Sequence, residues 1–298
     1  MASETVALAL HGGAGVLPQR DYSHETRHMR ALIEAGRDRL RAGAAAMDVM
    51  VEVIEALEAS GLYVAGRGAS PNRAGVFELD ASVMDGPTQG AGAVAALVGI
   101  ASPIKAARAV LETSGHVLLA GEGAAVFARE QGLAQIENPQ TWFVPAWRDA
   151  GMSNDDGAKH GTVGCVALDA RGALAAGTST GGTFRKLPGR VGDTPIPGAG
   201  VWADGRVAVS CTGQGEMFIR AAVASQIAAR LRFTDQSLAQ ACEAALADVG
   251  GLGGDGGLIA LNACGEIATP FITPGMKRAW CGPDGAVHVA VFADEEAP

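Results

Sequence analysis

The sequence is poor in aromatic residues and in positive charge, and it has no long apolar run. Phe, Trp and Tyr make up 5% of the 298 residues, and 23 Lys and Arg stand against 32 Asp and Glu, a net charge of -9 at pH 7. Without an excess of basic residues to neutralise phosphates, nucleic acid and anionic membranes are not expected as partners. No stretch reaches the roughly 18 apolar residues of a membrane span. A small-molecule substrate is therefore expected.

The five cysteines are scattered and lack the CxxC spacing of zinc or redox sites: Cys165, Cys211, Cys242, Cys264 and Cys281. Such an odd set is typical of reduced thiols buried in a core. Because the first residues also lack the basic region of a signal peptide, we expect a soluble, unsecreted protein of the cytoplasm. The 42 glycines indicate many tight turns, and the scarcity of aromatics predicts a core of small aliphatic side chains.

Apolar periodicity predicts hairpins and helix pairs in both halves of the chain. A buried strand over 6–10 ends at the glycine-rich turn 11–15. Helices are predicted at 23–41, 44–57, 103–112, 116–130, 216–231 and 236–249, and further strands at 76–84, 91–98, 162–168, 173–178, near 201, and at 207–210, 258–261, 266–271 and 287–292. Because antiparallel strands group apart from helices, we expect stacked layers rather than alternating β-α units.

The segment 138–160 is polar, contains proline and shows no periodicity. These properties predict an exposed, flexible linker. The linker ends immediately before Gly161 and Thr162.

A zinc site is the first of three chemistries that short motifs suggest. His24-Glu25-Thr26-Arg27-His28 matches HExxH, in which two histidines on one helix face bind zinc and the glutamate acts as the base. Here the motif falls on the first turn of a polar-faced helix, with Arg27 beside the ligands. A solvated helix start is favoured over a metal site.

A serine esterase is the second. Gly177-Thr178-Ser179-Thr180-Gly181 matches GxSxG, and Asp255 and His288 follow in the chain order of a triad. The nucleophile of such enzymes sits where a strand passes directly into a helix. Residues 182–189 contain glycine and proline that exclude a regular helix, so the serine interpretation is disfavoured.

A threonine nucleophile is the third. Gly161 precedes Thr162 at the start of a predicted strand, and glycine lets the peptide bond adopt strained dihedrals, so that the Thr162 hydroxyl can attack its own upstream carbonyl. The freed α-amino group, with an unperturbed pKa near 8, is then a base within reach of the hydroxyl. Taken alone, Gly-Thr-Val-Gly also fits the start of an ordinary strand.

Several short blocks raise the threonine interpretation above the other two. They are HGGAG at 11–15, ELDASVMDG at 78–86, HVLLAG at 116–121, GTVG at 161–164, STGG at 179–182, PGRVGD at 188–193 and CTGQGE at 211–216. In order and spacing they resemble the plant-type asparaginase and isoaspartyl peptidase family of N-terminal-nucleophile hydrolases over nearly the whole chain. Each block is weak alone, and their combination is specific.

The resemblance implies an α/β (α+β) fold, a four-layer αββα sandwich. A single domain over 1–298 would be divided by self-cleavage into an α subunit, 1–161, and a β subunit, 162–298, and two such pairs would form a homodimer. The implied activity is that of an autoprocessing threonine hydrolase, which cleaves β-aspartyl dipeptides and L-asparagine to release L-aspartate. No organic cofactor is expected.

The resemblance also assigns catalytic residues. Thr162 would be the nucleophile, exposed by cleavage after Gly161, and Thr180 would be the second threonine held against it. The hydroxyl of Thr212 and the N–H of Gly213 would stabilise the oxyanion. Because Gly213 stands just before a predicted helix, the helix N-terminus would add to this stabilisation.

Substrate binding is assigned to Arg190, Asp193 and Gly215. The guanidinium fork of Arg190 suits a carboxylate, and Asp193 supplies the opposite charge for an ammonium, so the pair matches the free amino acid end of a substrate. Gly215 would allow close approach of the substrate backbone. A surface ion pair between Arg190 and Asp193 is the alternative.

A structural sodium is implied as well. Family members hold it with main-chain carbonyls in the loop that corresponds to 57–68. The carbonyls implied here are those of Leu57, Glu58, Ser60, Tyr63, Ala65 and Arg67.

Three positions depart from the family pattern. Val64 and Arg185 stand where asparagine is usual, and Thr194 replaces a serine. These changes bear on substrate range and processing rate more than on the type of reaction. Two other functions stay open: a glycosylasparaginase-like amidase acting on carbohydrate-linked asparagine, and a non-catalytic relative that is never cleaved and acts through binding or assembly.

Overall fold

The computed structural model describes residues 5–144 and 161–296. Its α-helices are α1 (Ser23–Arg41), α2 (Ala46–Ser60), α3 (Pro103–Ala109), α4 (Gly121–Glu130), α5 (Pro139–Trp142), α6 (Gly215–Ala221), α7 (Val223–Phe233) and α8 (Leu238–Gly251). Its strands are β1 (Ala7–His11), β2 (Leu79–Asp85), β3 (Ala91–Leu97), β4 (Leu118–Ala120), β5 (Val163–Leu168), β6 (Leu174–Thr180), β7 (Val201–Ala203), β8 (Val207–Gly213), β9 (Gly256–Asn262), β10 (Ile267–Ala268), β11 (Arg278–Cys281) and β12 (Val287–Ala290). Single turns of 3₁₀-helix occupy Gly66–Gly68 and Ala293–Glu296, and a π-helical turn occupies Val110–Ser114.

The strands form two sheets. The large sheet has the order β12-β11-β1-β5-β6-β2-β3-β4, and the small sheet has the order β10-β9-β8-β7. Their strand pairs are antiparallel except for β3 and β4, which are parallel. The two sheets face each other, and strands β5 and β6 of the large sheet lie against β8 of the small one.

Apolar side chains fill the three spaces between the four layers. Along β1, Ala7 and Ala9 face the small sheet, whereas Leu8 and Leu10 face the helices. One core lies between the large sheet and helices α1 to α4, a second between the sheets, and a third between the small sheet and helices α6 to α8. This period-two alternation is what a sheet buried on both faces requires. The predicted αββα sandwich is confirmed.

The candidate functional residues gather at one end of this sandwich. Because β5 and β6 are antiparallel, with Val163 opposite Ser179, the start of β5 lies beside the end of β6. Asp80 near the start of β2 is opposite Thr180, and His11 at the end of β1 is opposite Gly164. The glycine-rich chain segments that follow β1 and β6 therefore lie at the same end of the large sheet.

The predicted hairpins are confirmed, with bounds shifted by one to three residues at most ends. The helix predicted at 116–130 is wrong over its first turn. There β4 runs parallel to β3, and α4 begins only at Gly121, whose φ of +57° is not helical. Residues 117–119 have an apolar pattern that fits a helix as well as a strand.

The helix predicted at 216–231 is interrupted. α6 ends and α7 begins at Ala222, which has a left-handed backbone with φ of +48°. The apolar period continues across this break, which is why the pattern suggested one helix. Strand β11 was not predicted, and the strand expected over 266–271 is reduced to β10.

Part of the predicted linker has regular structure. Helix α5 lies within 138–144, and Phe143 stacks on Phe77 with ring centroids 3.8 Å apart. Residues 145–160 of the linker lie outside the described residues. Four of the five cysteines are buried as expected, but Cys264 is exposed. In the described ranges, no helix is long and apolar enough to cross a membrane.

Candidate active site

Thr162 lies directly before β5 and follows Gly161 in the chain. Its side chain is buried, with 5% of the residue exposed. Gly13, with φ of +98°, packs against this bond, and a Cβ atom on Gly13 would lie 3.2 Å from the Thr162 carbonyl oxygen and 3.3 Å from its nitrogen. The turn after β1 therefore needs glycine to leave room for the backbone around the bond to be cut.

Thr180 supplies the closest polar contact to that bond. Its hydroxyl donates a hydrogen bond to the carbonyl oxygen of Gly161 at 2.6 Å. The N–H of Gly182 donates to the Thr180 oxygen at 2.9 Å, which directs the hydroxyl proton towards Gly161. A donor on this oxygen draws electrons from the carbonyl carbon and makes it easier to attack.

Val64 occupies the other side of Gly161. A Cβ atom built on Gly161 would lie 2.8 Å from the Cβ of Val64, so only glycine fits at position 161. The carbonyl of Val64 accepts a hydrogen bond from the N–H of Gly181 at 2.9 Å, which ties this loop to the end of β6. Where an asparagine was expected, an apolar side chain thus packs on the cleavage point.

A narrow cleft collects most of the predicted site residues. Its free volume is about 10 Å³, roughly the space of one water molecule. In the uncleaved chain this cleft has no room for an amino acid. The lining residues are Gly161, Thr162, Thr180, Gly182, Thr183, Arg190, Gly192, Asp193, Thr194, Gly213 and Gly215.

Arg190 is paired with Glu216 rather than with Asp193. Its Nε and Nη2 each donate to one carboxylate oxygen of Glu216 at 2.8 Å, the bidentate geometry that arginine favours. The Arg190 side chain is 16% exposed and that of Glu216 is 57% exposed. The guanidinium therefore lines the cleft in a fixed orientation, and the alternative of a surface ion pair between Arg190 and Asp193 is not what the structure shows.

Asp193 is buried and lacks a full set of partners. The residue is 4% exposed, and its Oδ2 has no hydrogen-bond partner among the described residues. Burial raises the pKa of this carboxyl to about 7, against the opposing effects of its own main-chain N–H and of Arg190. A Cβ atom at Gly215 would lie 2.8 Å from Asp193 Oδ1, so Gly215 makes room for this carboxylate.

Thr212 and Gly213 end strand β8. The Thr212 hydroxyl oxygen accepts a hydrogen bond from the N–H of Ala14 at 3.3 Å, and Thr212 does not line the cleft. Gly213 does line it, with φ of +154°, and packs on the backbone of Asp255 and Gly256. Gly213 and Thr162 thus line the same cleft, whereas Thr212 is buried against Ala14, and the oxyanion roles of both Thr212 and Gly213 stay predictions.

A chain of buried polar groups lies beneath Thr162 and was not predicted. His11 Nε2 is 3.0 Å from the hydroxyl of Ser210, which is 2.8 Å from the hydroxyl of Thr178. A side chain at Gly164 would collide with both His11 and Ser210. Burial lowers the pKa of His11 to about 3, so this histidine is neutral and serves as a hydrogen-bonding group rather than as a charge.

The predicted sodium loop joins α2 to the Gly66–Gly68 turn. Several of its carbonyls already accept hydrogen bonds: that of Leu57 from Ser60 Oγ at 2.8 Å, and that of Tyr63 from the N–H of Ala65 at 2.8 Å. Each carbonyl has a second lone pair, and oxygen ligands suit a hard cation. The donor set is chemically compatible with sodium, and the ligand roles of Leu57, Glu58, Ser60, Tyr63, Ala65 and Arg67 stay predictions.

The Glu58 side chain has a different and unpredicted role. Its carboxylate accepts hydrogen bonds from Ser179 Oγ at 2.6 Å, Ser102 Oγ at 2.6 Å and the N–H of Ile104 at 3.0 Å. Burial raises its pKa to about 7. Ser179 is fully buried in β6 and bonded to this carboxylate, so it is not the exposed nucleophile that a serine esterase requires.

The zinc motif likewise lacks the geometry of a metal site. His28 stacks on Tyr63 and its Nδ1 is 3.2 Å from the Tyr63 hydroxyl, while His24 Nδ1 faces Arg27 at 3.4 Å. Within the described parts of the chain, no group of three or more His, Cys, Asp or Glu side chains could hold a metal ion.

Comparison with known proteins identifies a single family. The family model described as "Asparaginase" matches residues 4–291. An isoaspartyl peptidase of Salmonella typhimurium is 47% identical over 295 aligned residues, which cover 92% of this chain and 94% of that protein. An isoaspartyl peptidase of Escherichia coli is 45% identical, covering 92% of each chain, and a plant-type L-asparaginase of Pyrobaculum calidifontis is 40% identical, covering 93% and 97%. The chain therefore belongs to the asparaginase family.

Proposed function

We propose that this protein is an isoaspartyl peptidase and L-asparaginase that activates itself by cutting the Gly161–Thr162 bond. The observation that carries the proposal is the 2.6 Å hydrogen bond from Thr180 to the Gly161 carbonyl, in a cleft that also contains Arg190 and Asp193. The names of its bacterial and archaeal relatives agree with this activity.

Self-cleavage would begin with attack of the Thr162 hydroxyl oxygen on the Gly161 carbonyl carbon. A C–O bond forms, the C–N bond breaks, and the hydroxyl proton ends on the departing nitrogen of Thr162. Thr180 stabilises the negative charge on the Gly161 oxygen through its hydrogen bond. Water then hydrolyses the ester, which leaves a carboxylate on Gly161 and a free amine and hydroxyl on Thr162.

Substrate hydrolysis would reuse the same threonine. The Thr162 amine takes the hydroxyl proton while the oxygen attacks the Cγ carbonyl of the aspartyl group, and the proton passes to the leaving ammonia or amino acid. Arg190 and Asp193 hold the α-carboxylate and α-ammonium of the substrate, and the N–H of Gly213 stabilises the oxyanion. Water, activated by the same amine, then cleaves the β-aspartyl ester and releases aspartate.

The small size of the cleft supports an order for these two reactions. With about 10 Å³ of free volume, the cleft cannot admit asparagine while the Gly161 carbonyl is bonded to Thr180. Separation of Gly161 from Thr162 removes that contact and opens the space beside the nucleophile. We therefore infer that the uncleaved chain is inactive towards substrates.

Intact-mass measurement and N-terminal sequencing test the proposal. Purified wild-type protein and a Thr162→Ala variant are incubated and sampled over time. Two fragments with a new terminus at Thr162, absent from the variant, are expected. A wild-type chain that stays whole and inactive would instead support a non-catalytic relative.

A substrate panel then tests specificity. β-Aspartyl dipeptides and L-asparagine are expected to yield aspartate, and a glycosylated asparagine is not. Turnover of the glycosylated compound alone would favour the glycosylasparaginase-like alternative.

We also infer three properties that accompany this activity. The mature protein is a homodimer of αβ units, which light scattering coupled to size exclusion would measure. It works in the cytoplasm, a compartment that suits its five free cysteines. The loop over 57–68 binds one sodium ion through main-chain oxygens, and exchange of sodium for a larger cation should lower the melting temperature.

A further inference from the structure

Lys186 is buried behind the cleft, in the loop between β6 and β7. Its side chain has no exposed surface, which is rare for lysine unless the charge is paired. The ammonium donates a hydrogen bond to the Glu78 carbonyl oxygen at 2.9 Å, and it lies 4.0 Å from Glu78 Oε2 and 4.0 Å from Asp80 Oδ2. One cation thus stands between two carboxylates at the start of β2.

Glu78 connects this ammonium to the turn that carries Arg190. Glu78 Oε1 accepts a hydrogen bond from the N–H of Gly189 at 2.9 Å. The Leu187 carbonyl accepts one from the N–H of Arg190 at 3.0 Å, which closes a turn with Pro188 second and Gly189, φ of +79°, third. This is the residue pattern of a type II turn. Arg190 is therefore the last residue of a turn, and the N–H of the third residue, Gly189, is hydrogen-bonded to Glu78.

Asp80 connects the same ammonium to the corner at Thr180. Asp80 is opposite Thr180 in the pairing of β2 with β6, and its Oδ1 accepts a hydrogen bond from the N–H of Ala96 at 2.7 Å. Lys186 Nζ also packs on Gly182, where a Cβ atom would lie 2.8 Å from it. The N–H of Gly182 is the donor that orients the Thr180 hydroxyl. Lys186 thus packs against the chain segment that orients the Thr180 hydroxyl.

Lys186 and Asp80 each oppose the pKa shift that burial imposes on the other. Burial lowers the pKa of Lys186, and Asp80 and Glu78 oppose that shift. Burial raises the pKa of Asp80, and Lys186 opposes that one. Glu78 Oε2 and Asp80 Oδ2 have no hydrogen-bond partner among the described residues. The Lys186 ammonium, 4.0 Å from each, is the positive charge that balances them. Without it, two carboxylates would face each other in a water-poor space and move apart.

We propose that Lys186 is a positioning residue for substrate binding: held between Glu78 and Asp80, it fixes the turn that presents Arg190 and the corner that presents Thr180. This inference rests on the function proposed above. Lys186 contacts no reacting atom in that scheme, so it acts through the residues that it places. Its loss should weaken substrate binding through Arg190 more than it slows the chemical step.

The test compares Lys186→Met with Lys105→Met in matured protein. Lys105 is a matched control because its ammonium pairs with Glu55 on the surface, where its side chain is 44% exposed. The KM and kcat for a β-aspartyl dipeptide are measured per mole of Thr162 terminus, with melting temperatures alongside. For Lys186→Met we expect KM to rise about tenfold or more, because misplacement of a binding group is costly, with a smaller change in kcat. Lys105→Met should match wild type.

A double-mutant cycle separates positioning from general loosening of the fold. If Lys186 acts through Arg190, then adding Lys186→Met to Arg190→Ala should change KM by less than about twofold, because residues in one network are not additive. Should Lys186→Met not fold, Glu78→Ala and Glu78→Gln replace it. The alanine removes the acceptor for Gly189 and should raise KM similarly, whereas glutamine keeps an acceptor and should not.

Three results would overturn the proposal. They are a wild-type KM in Lys186→Met, an equally large effect in the Arg190→Ala background, and equal KM values for Glu78→Ala and Glu78→Gln. Wild-type protein assayed in parallel separates the two inferences. If wild type itself fails to turn over the dipeptide, the proposed function falls along with the role of Lys186. If wild type is active and the Lys186 variants bind normally, only the role of Lys186 falls.

Discussion

Replacement of Thr180 by valine should slow self-cleavage without unfolding the site. Valine keeps the shape of threonine but removes the hydroxyl that donates to the Gly161 carbonyl at 2.6 Å, a distance at the short end of the O–H···O range. Removal of one such donor from a developing oxyanion typically costs about 2.7–4 kcal/mol, or roughly 10²–10³ in rate. The half-life of the 298-residue chain should lengthen by that factor.

The assay is the disappearance of full-length chain, followed by intact mass at a fixed temperature and pH. Thr180→Ser is the matched variant that keeps the hydroxyl and should cleave within about an order of magnitude of wild type. Thr183→Val is the control for removing a hydroxyl elsewhere in the same cleft. If Thr180→Val cleaved as fast as Thr183→Val, the hydrogen bond to Gly161 would not contribute to catalysis and the reasoning would be refuted.

Three further substitutions test residues that lie around the Gly161–Thr162 peptide bond. Gly161→Ala should abolish cleavage, because its Cβ would lie 2.8 Å from the Cβ of Val64, and mass spectrometry would show an uncut chain. Arg190→Ala should raise the KM for β-aspartyl dipeptides about 10- to 100-fold, the loss expected for a charged hydrogen bond of roughly 1.5–3 kcal/mol; an unchanged KM would remove Arg190 from the binding site. Because the pKa of Asp193 is raised to about 7, its carboxylate is protonated as the pH falls from 8 to 6, so KM should rise over that interval. Asp193→Asn should bind weakly with no such pH dependence, and the same slope in both proteins would exclude Asp193 as its source.

Pairing of strands within a hairpin could be predicted, because short apolar runs around a polar turn fix both partners locally. The hairpin of β5 and β6 is the example, since residues 169–172 supply the turn. The break at Ala222 could not be predicted in this way. No glycine or proline marks it, and its left-handed backbone depends on how α6 and α7 pack on the small sheet. The local apolar pattern thus predicted the helices and strands, but it did not predict the points at which tertiary packing interrupts them.

The same distinction applies to the site. Thr162, Thr180 and Arg190 could be identified because each stands in a short glycine-rich block. The partner of Arg190 could not, since Glu216 comes 26 residues later and reaches the guanidinium only because α6 begins beside the cleft. Lys186 had no signal at all. A lysine in a loop that contains glycine and proline is normally exposed, and the burial of Lys186 depends on two carboxylates more than 100 residues earlier in the chain.

Cleavage and hydrolysis should differ in the group that stabilises the oxyanion. In the uncleaved chain the Gly161 carbonyl accepts a hydrogen bond from Thr180, whereas the Thr212 hydroxyl accepts one from the N–H of Ala14 and is not part of the cleft lining. In the proposed reaction the substrate carbonyl is bound beside Gly213 and its neighbour Thr212, after Gly161 has been freed. Thr212→Val should therefore leave the rate of self-cleavage nearly unchanged and reduce kcat on β-aspartyl dipeptides, while Thr180→Val should reduce the rate of cleavage. If Thr212→Val slowed both reactions equally, a single oxyanion site would serve both, and the contact between Thr180 and Gly161 would be a feature of the precursor's packing rather than of its chemistry.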